Sequence, residues 1–196
     1  MSGFVRITVP LDKEGMKTVS SLRAGDRVLL SGTVYTARDQ AHMRMAECIA
    51  SEQALPFELS GSAIYYVGPT PEHGELAIGS AGPTTAGRMD AFSPMLLDLG
   101  NKIMIGKGRR SREVTEAVVR NGAVYLGAVG GAGALMSAGI KKCEVIAWPD
   151  LGCEAVRRLE VEDMPLTVVI DSTGNDLYLS GPEDYLNSLK NARYSK

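Results

Sequence analysis

Two histidines, one tryptophan and three cysteines in 196 residues leave little material for several kinds of chemistry. Cys48, Cys143 and Cys153 form an odd, scattered set, which suits a reducing cytosol better than a disulfide scaffold. No C-x-x-C pair, H-E-x-x-H zinc helix or G-x-S-x-G elbow occurs, so a triad hydrolase is not expected. Charge of either sign is also not in excess: 21 Lys and Arg face 23 Asp and Glu, a net charge of −2. Nucleic-acid and anionic-membrane proteins depend on clustered positive charge, so neither partner is expected. The opening residues MSGFVRITVPLDKEG are charged within the first dozen and lack a signal-peptide apolar core, which points to the cytoplasm. The 44% hydrophobic and 22% charged content sits near the globular average. A chain of this size buries roughly 70% of its unfolded surface and needs no disulfide or structural metal to fold.

One stretch is long and uncharged. Gly122 to Ile140 (GAVYLGAVGGAGALMSAGI) approaches the ~20 apolar residues of a membrane span, but six of its residues are glycine and few are Leu, Ile or Phe. It parses better as a buried strand, Ala123 to Leu126, a glycine turn, and a small-residue helix up to Ala138. The order Gly127, Gly130, Gly131, Gly133 fits neither G-x-G-x-x-G nor a Walker loop, so close helix-on-strand packing explains the glycines better than phosphate binding.

Elsewhere, apolar runs bounded by Gly and Pro alternate with amphipathic stretches. Phe4–Val9, Val28–Tyr35, Ala63–Val67, Leu76–Ile78, Lys102–Ile105, Val145–Trp148, Ala155–Val161 and Leu166–Ile170 read as strands. Helices are expected over Ala37–Glu52, Ala91–Leu99 with Gly100 as C-cap, Arg112–Asn121 with Gly122 after it, and Pro182–Arg193; Leu22–Asp26 closes a short polar helix. No repeat or linker marks an internal boundary, so residues 1–196 read as one layered α/β domain with a mixed sheet.

Three segments share one layout: an apolar strand, a polar or glycine-rich turn carrying a cation or hydroxyls, then a helix. VLLSGTVYTARD puts Thr36, Arg38 and Asp39 past a strand; ELAIGSAGPTTAGRMD puts Thr84, Thr85 and Arg88 after Gly82 and Pro83; KIMIGKGRRS puts Lys107 between two glycines. Ligands of open α/β sheets bind outside the carboxyl ends of strands, where helix N-termini also offer free N–H groups. Two guanidinium forks and an ammonium converging there would suit a small di-acid. Taken singly each signal is bland: a lone Arg or Lys is more often a solvated charge, and Thr-Thr after Gly-Pro is often only an N-cap. The repetition of one layout raises the joint case. His42, one turn after Arg38, reads as a supporting group or a plain helix residue, and His73 as part of an exposed turn. The cysteines lack the close spacing of cluster ligands.

GDRVLLSGTVYTARDQAHMRM, LPFELSGSAIYYVGPTP, IGSAGPTTAGRMDAF, MIGKGRRS and RRLEVEDMPLTVVID with GNDLY resemble the β subunit of class I, iron–sulfur fumarate hydratases, the equivalent of the C-terminal domain of the single-chain enzymes. L(+)-tartrate dehydratase has a related subunit. The likeness runs from about Gly25 to Tyr178. It implies a layered β/β/α swivelling domain and reversible hydration of fumarate to L-malate, active only with an α subunit. That partner would hold the [4Fe–4S] cluster, leaving none on this chain and a partner-facing surface through which the isolated chain could self-associate. It also implies that Arg38, Arg88 and Lys107 bind substrate carboxylates, that Thr84 is the catalytic base beside Thr85, and that Asp39 and His42 have supporting roles. A tartrate dehydratase half and a non-catalytic carboxylate-binding module are the alternatives.

Overall fold

The computed structural model describes residues 3–72, 74, 77–128, 131 and 133–194. Seven strands and six α-helices alternate along them: β1 (Val5–Val9), α1 (Lys13–Ser21), β2 (Arg27–Thr36), α2 (Asp39–Ala50), β3 (Ala63–Tyr65), α3 (Ser93–Asp98), β4 (Ile103–Gly106), α4 (Arg112–Asn121), β5 (Val124–Gly127), α5 (Gly133–Ala138), β6 (Ile140–Ala147), β7 (Val156–Ile170) and α6 (Leu177–Tyr194). Two 3₁₀ segments, Ala86–Met89 and Pro149–Glu154, lie before α3 and β7. Helix ends follow local chemistry. Asp12 accepts from the Gly15 amide at 2.7 Å to open α1, and Ser111 accepts from Val114 at 3.3 Å to open α4. Gly122 ends α4 in the left-handed conformation at φ 57°.

Strands β1 to β5 run parallel in spatial order, and the long β7 runs antiparallel to both β2 and β5. The pairings therefore form a circuit, β2–β3–β4–β5–β7 and back to β2, with β1 beside β2 and β6 beside β7. Alternation along the short central strands divides the interior in two. Ala63, Tyr65, Ile103, Ile105, Val124 and Leu126 face a core shared with Val28, Leu30, Leu159 and Val168, between the strand layers. Ile64, Tyr66, Met104 and Tyr125 face a second core with Met45, Leu97, Val114 and Val118, under α2, α3 and α4. Burial on both faces is why these strands read as unbroken apolar runs. The expected α/β fold with a mixed sheet and a β/β/α layering is what the chain forms.

Several boundaries differ from expectation. Strand β6 starts at Ile140, ahead of the strand expected from Val145. The polar helix closes at Ser21, and Leu22–Asp26 is the turn after it, where Asp26 accepts from the Arg23 amide at 2.8 Å. Leu166–Ile170 and Ala155–Val161 are one strand, β7. Pro165 sits between Val161, the last residue paired with β6, and Thr167, the first paired with β5, where the strand has β2 alone as neighbour. A missing N–H is tolerable there. Helix α6 starts before Pro182 instead of at it. The Tyr178 carbonyl, which Pro182 has no N–H to satisfy, accepts from the Arg109 guanidinium at 3.3 Å. Of the strand expected at Leu76–Ile78, Leu76 lies outside the described residues and Ala77 and Ile78 form a bend. His73 also lies outside them.

Within the glycine-rich stretch, β5 and α5 match the soluble parse, and Val129, Gly130 and Ala132 lie outside the described residues. A Cβ on Gly133 would meet Ser80 Oγ at 2.4 Å, and one on Gly127 would meet Val169 Cγ2 at 2.7 Å, so packing demands both glycines. Among the described residues no helix is long and apolar enough to cross a membrane.

Candidate active site

Since β2, β3 and β4 are parallel neighbours, the segments that follow them emerge on one edge of the sheet. Arg38 and Asp39 follow β2 at the start of α2; Thr84 to Arg88 lie in the connection after β3; Lys107 follows β4. The Thr84 amide donates to the Tyr66 carbonyl at 2.7 Å and its carbonyl accepts from the Lys107 amide at 3.3 Å. Thr85 and Lys107 form a parallel bridge, and the Ala86 amide donates to the Lys107 carbonyl at 2.8 Å. The threonine segment is thus stitched between the ends of β3 and β4, beside the lysine. Neither threonine hydroxyl has a hydrogen-bond partner among the described residues.

Arg88 Nε meets Asp39 Oδ1 at 2.7 Å, and Asp39 Oδ2 lies 3.8 Å from Arg38 Nε. Arg38 Nη2 in turn lies 3.6 Å from Glu154 Oε1. Arg38 occupies the N-cap position of α2 without capping it; Glu154 Oε2 does so from a distance, accepting from the Gln40 amide at 2.8 Å. The fold joins Arg38, Asp39 and Arg88 by ion pairs, and Thr84, Thr85 and Lys107 by backbone pairing. Lys107, half-buried, makes no ion pair among the described residues. With Thr85, Ala128, Thr167 and Tyr178 it lines a hollow of about 500 Å³.

His42 is wholly buried one turn along α2. Its Nδ1 lies 2.9 Å from the Arg38 carbonyl, which can only accept, so Nδ1 carries the proton and Nε2 is bare. Burial lowers its pKa to about 4, Arg110 acting in the same direction, so the ring is neutral at physiological pH. Arg38 Nε, Asp39 Oδ2 and His42 Nε2 are buried at this corner without hydrogen-bond partners among the described residues.

Sequence reasoning missed the frame around these groups. Arg110, two residues after the last glycine of GKG, has a fully buried side chain: Nε donates to Asp90 Oδ1 at 2.7 Å and Nη2 to Ser93 Oγ at 2.7 Å. Its guanidinium lies over the Tyr66 and Tyr125 rings. Because Asp90 Oδ2 also accepts from the Ser111 amide, the Arg88 segment is locked to the Lys107 loop. Tyr178 Oη accepts from the Gly108 amide at 2.9 Å, holding the other side of that loop. The RMD and GRRS strings held the Asp90–Arg110 pair, but charge counting cannot tell a buried arginine from a solvated one.

Residues 3–181 match the family model described as the fumarase C-terminus. The chain belongs to that family. It is 42% identical to fumarate hydratase 2 of Leishmania major over 171 residues, 86% of this chain and 30% of that one. Against the aerobic class I fumarate hydratase of Escherichia coli K12 it is 40% identical, covering 85% of this chain and 31% of the other. A Methanocaldococcus jannaschii protein assigned as an L(+)-tartrate dehydratase subunit beta is 39% identical, covering 83% of this chain and 86% of its own. The chain thus spans about a third of the length of the fumarate hydratases it matches.

As a fumarase C-terminus chain, this one offers poor ligands for an iron–sulfur cluster. Cys48 sits on α2, whereas Cys143 and Cys153 line a hollow of about 460 Å³ beside β6. Burial raises the Cys143 thiol pKa, the wrong direction for a thiolate ligand. Among the described residues no three metal-ligating side chains gather.

Proposed function

We propose that this chain is the β subunit of a class I hydro-lyase that interconverts fumarate and L-malate, working in the cytoplasm beside an α subunit that carries the [4Fe–4S] cluster. The observation that supports the reading is that Arg38 and Arg88 share Asp39, while the Thr84–Arg88 segment is bridged through its backbone to Lys107 on the same edge of the sheet. Membership of the fumarase C-terminus family supports it. In this reading the cluster belongs to the α subunit, and the steps that fall to this chain are binding and proton transfer.

In this reading Arg38, Arg88 and Lys107 grip the two carboxylates. Thr84, as its alkoxide, takes the proton from C3 of malate, and the negative charge that develops on the adjoining carboxylate is stabilised by the same cations. The C2 hydroxyl leaves as hydroxide toward the α subunit, whose cluster would supply the Lewis acidity. No imidazole or carboxylate among the described residues contacts the Thr84 hydroxyl, so nearby cations must favour its alkoxide against the opposing cost of burial. Thr84→Ala, co-expressed anaerobically with the α subunit, should lower kcat by roughly 10²–10⁴-fold and leave KM nearly unchanged. Full turnover would remove Thr84 from the mechanism.

The second reading is a tartrate dehydratase β subunit, favoured by the match over 86% of the Methanocaldococcus jannaschii protein. Fumarate hydration measured against tartrate dehydration in the same complex separates the two. A complex inactive on both, yet binding dicarboxylates, would leave a non-catalytic module.

A further inference from the structure

We propose that Gly68 is a positioning residue: it is the floor on which the Arg38 guanidinium lies, and its lack of a side chain sets where that guanidinium points. The inference rests on Arg38 gripping a substrate carboxylate. Gly68 lies just beyond β3, and its φ is not positive, so its backbone conformation is open to any residue. What requires glycine is space. A Cβ there would lie 2.6 Å from Arg38 Nη1, 3.3 Å from Arg38 Cδ and 3.1 Å from the Cys153 carbonyl oxygen. Among the described glycines it alone has an arginine side chain as its nearest neighbour. The other sides of the slot are Glu154, at 3.6 Å from Nη2, and Asp39, at 3.8 Å from Nε. Glu154 follows Cys153 directly, so one short segment supplies both the carboxylate and the carbonyl that border the guanidinium.

A methyl group at position 68 would meet chiefly the far end of a flexible side chain. The fold can therefore accept it, but the guanidinium cannot stay where it is. A displacement of about 1 Å in a positioning group can cost up to ~10²-fold in catalysis. If Arg38 binds ground and transition states alike, the loss falls on KM.

The test is a double-mutant cycle in the complex with the α subunit: wild type, Gly68→Ala, Arg38→Ala and both together, with KM and kcat for L-malate and a thermal unfolding midpoint for each. Gly68→Ala should raise KM about tenfold or more, with kcat within about threefold. In the Arg38→Ala background the same change should alter KM by less than about twofold. An unchanged KM in Gly68→Ala, with Arg38→Ala impaired, overturns the proposal. So does an equal rise in both backgrounds, since the glycine would then act by another route. An Arg38→Ala variant with wild-type kinetics would instead overturn the carboxylate role of Arg38, and this inference with it. If Gly68→Ala alone does not fold, a double variant that does fold identifies Arg38 as what the methyl meets. A double variant that also fails makes the Cys153 carbonyl the obstacle and overturns the proposal.

Discussion

His42 gives the molecule a pH-dependent stability that can be worked out from its surroundings. The ring lies edge-on to Tyr66 at 5.4 Å and tilted against Phe92 at 6.0 Å, with no exposed surface. Burial is the main cause of its lowered pKa, about 4 against an ordinary 6.5; Arg110 adds to the lowering, while Asp39 and the Arg38 carbonyl oppose it. Between those two values the unfolded chain takes up a proton that the folded chain refuses. Stability is therefore complete above pH 6.5 and falls as pH drops toward about 4. At 1.36 kcal/mol per pH unit the loss is about 3 kcal/mol. His42→Asn can keep an N–H near the Arg38 carbonyl but cannot titrate. Urea unfolding of both proteins from about pH 7.5 to about pH 4 should show wild type ahead at the upper end, with the gap narrowing by about 3 kcal/mol at the lower. Other carboxylates affect both proteins alike and cancel in the difference. Parallel profiles would refute a buried neutral imidazole.

Three further outcomes follow from individual contacts. Arg110→Ala leaves Asp90 without its guanidinium and opens the space between Tyr66 and Tyr125, which should cost about 3–5 kcal/mol in a chemical unfolding experiment; a loss below about 1 kcal/mol would mean the pair is not a structural lock. At Asp171, burial pushes the pKa up, but hydrogen bonds from Asn175, the Ala24 amide and Thr173 outweigh it and hold the carboxyl down to about 2. Its contribution is present above the ordinary value of 3.8 and is lost as pH falls through about 2, so Asp171→Asn should cost about 2–3 kcal/mol near neutrality and blunt acid unfolding in that window. Arg88→Lys replaces a fork by a point charge and should raise KM for the dicarboxylate about tenfold; unchanged kinetics would make Arg88 a surface charge.

Helix α4 and the short central strands were legible because periodicity, caps and flanking glycines agree there. Arg112–Asn121 matches to the residue, with Ser111 before it and Gly122 after it. Strand β7 was not, because Pro165 is a breaker in any local reading, and the strand passes Asp163 through a positive φ that its sequence does not announce. Only the placement of β5 and β6 along opposite ends of β7 makes the proline harmless. The start of α6 was hidden for the same reason: the acceptor that relieves the Tyr178 carbonyl is an arginine far away in sequence. In the candidate site, the strand–turn layout picked out Arg38 and Lys107, which follow β2 and β4; Thr84 and Arg88 lie in the long connection after β3, where Ala77 and Ile78 form a bend in place of the expected strand. Glu154 and Gly68 were invisible because their importance lies in what they touch, not in their type.

The carboxylates in the site also constrain its partner. Arg38 and Arg88 already face Asp39 and Glu154, and of the three cations only Lys107 makes no ion pair with a described residue. Three cations against two carboxylates leave the cluster one positive charge. A substrate carboxylate that takes Arg88 from Asp39 exchanges one guanidinium–carboxylate pair for another, so most of the net attraction falls to Lys107. Once an opposing wall covers the site and excludes water, a dianion held by this wall alone would leave one uncompensated negative charge, which is strongly unfavourable. On the proposed reading, the opposite wall must therefore present positive charge or hydrogen-bond donors to the second carboxylate. That is a physical reason for this chain to depend on its α subunit for substrate affinity as well as for chemistry. Dicarboxylate binding by the isolated chain, measured calorimetrically, should accordingly be far weaker than by the complex, and equal affinities would show that the single wall is enough.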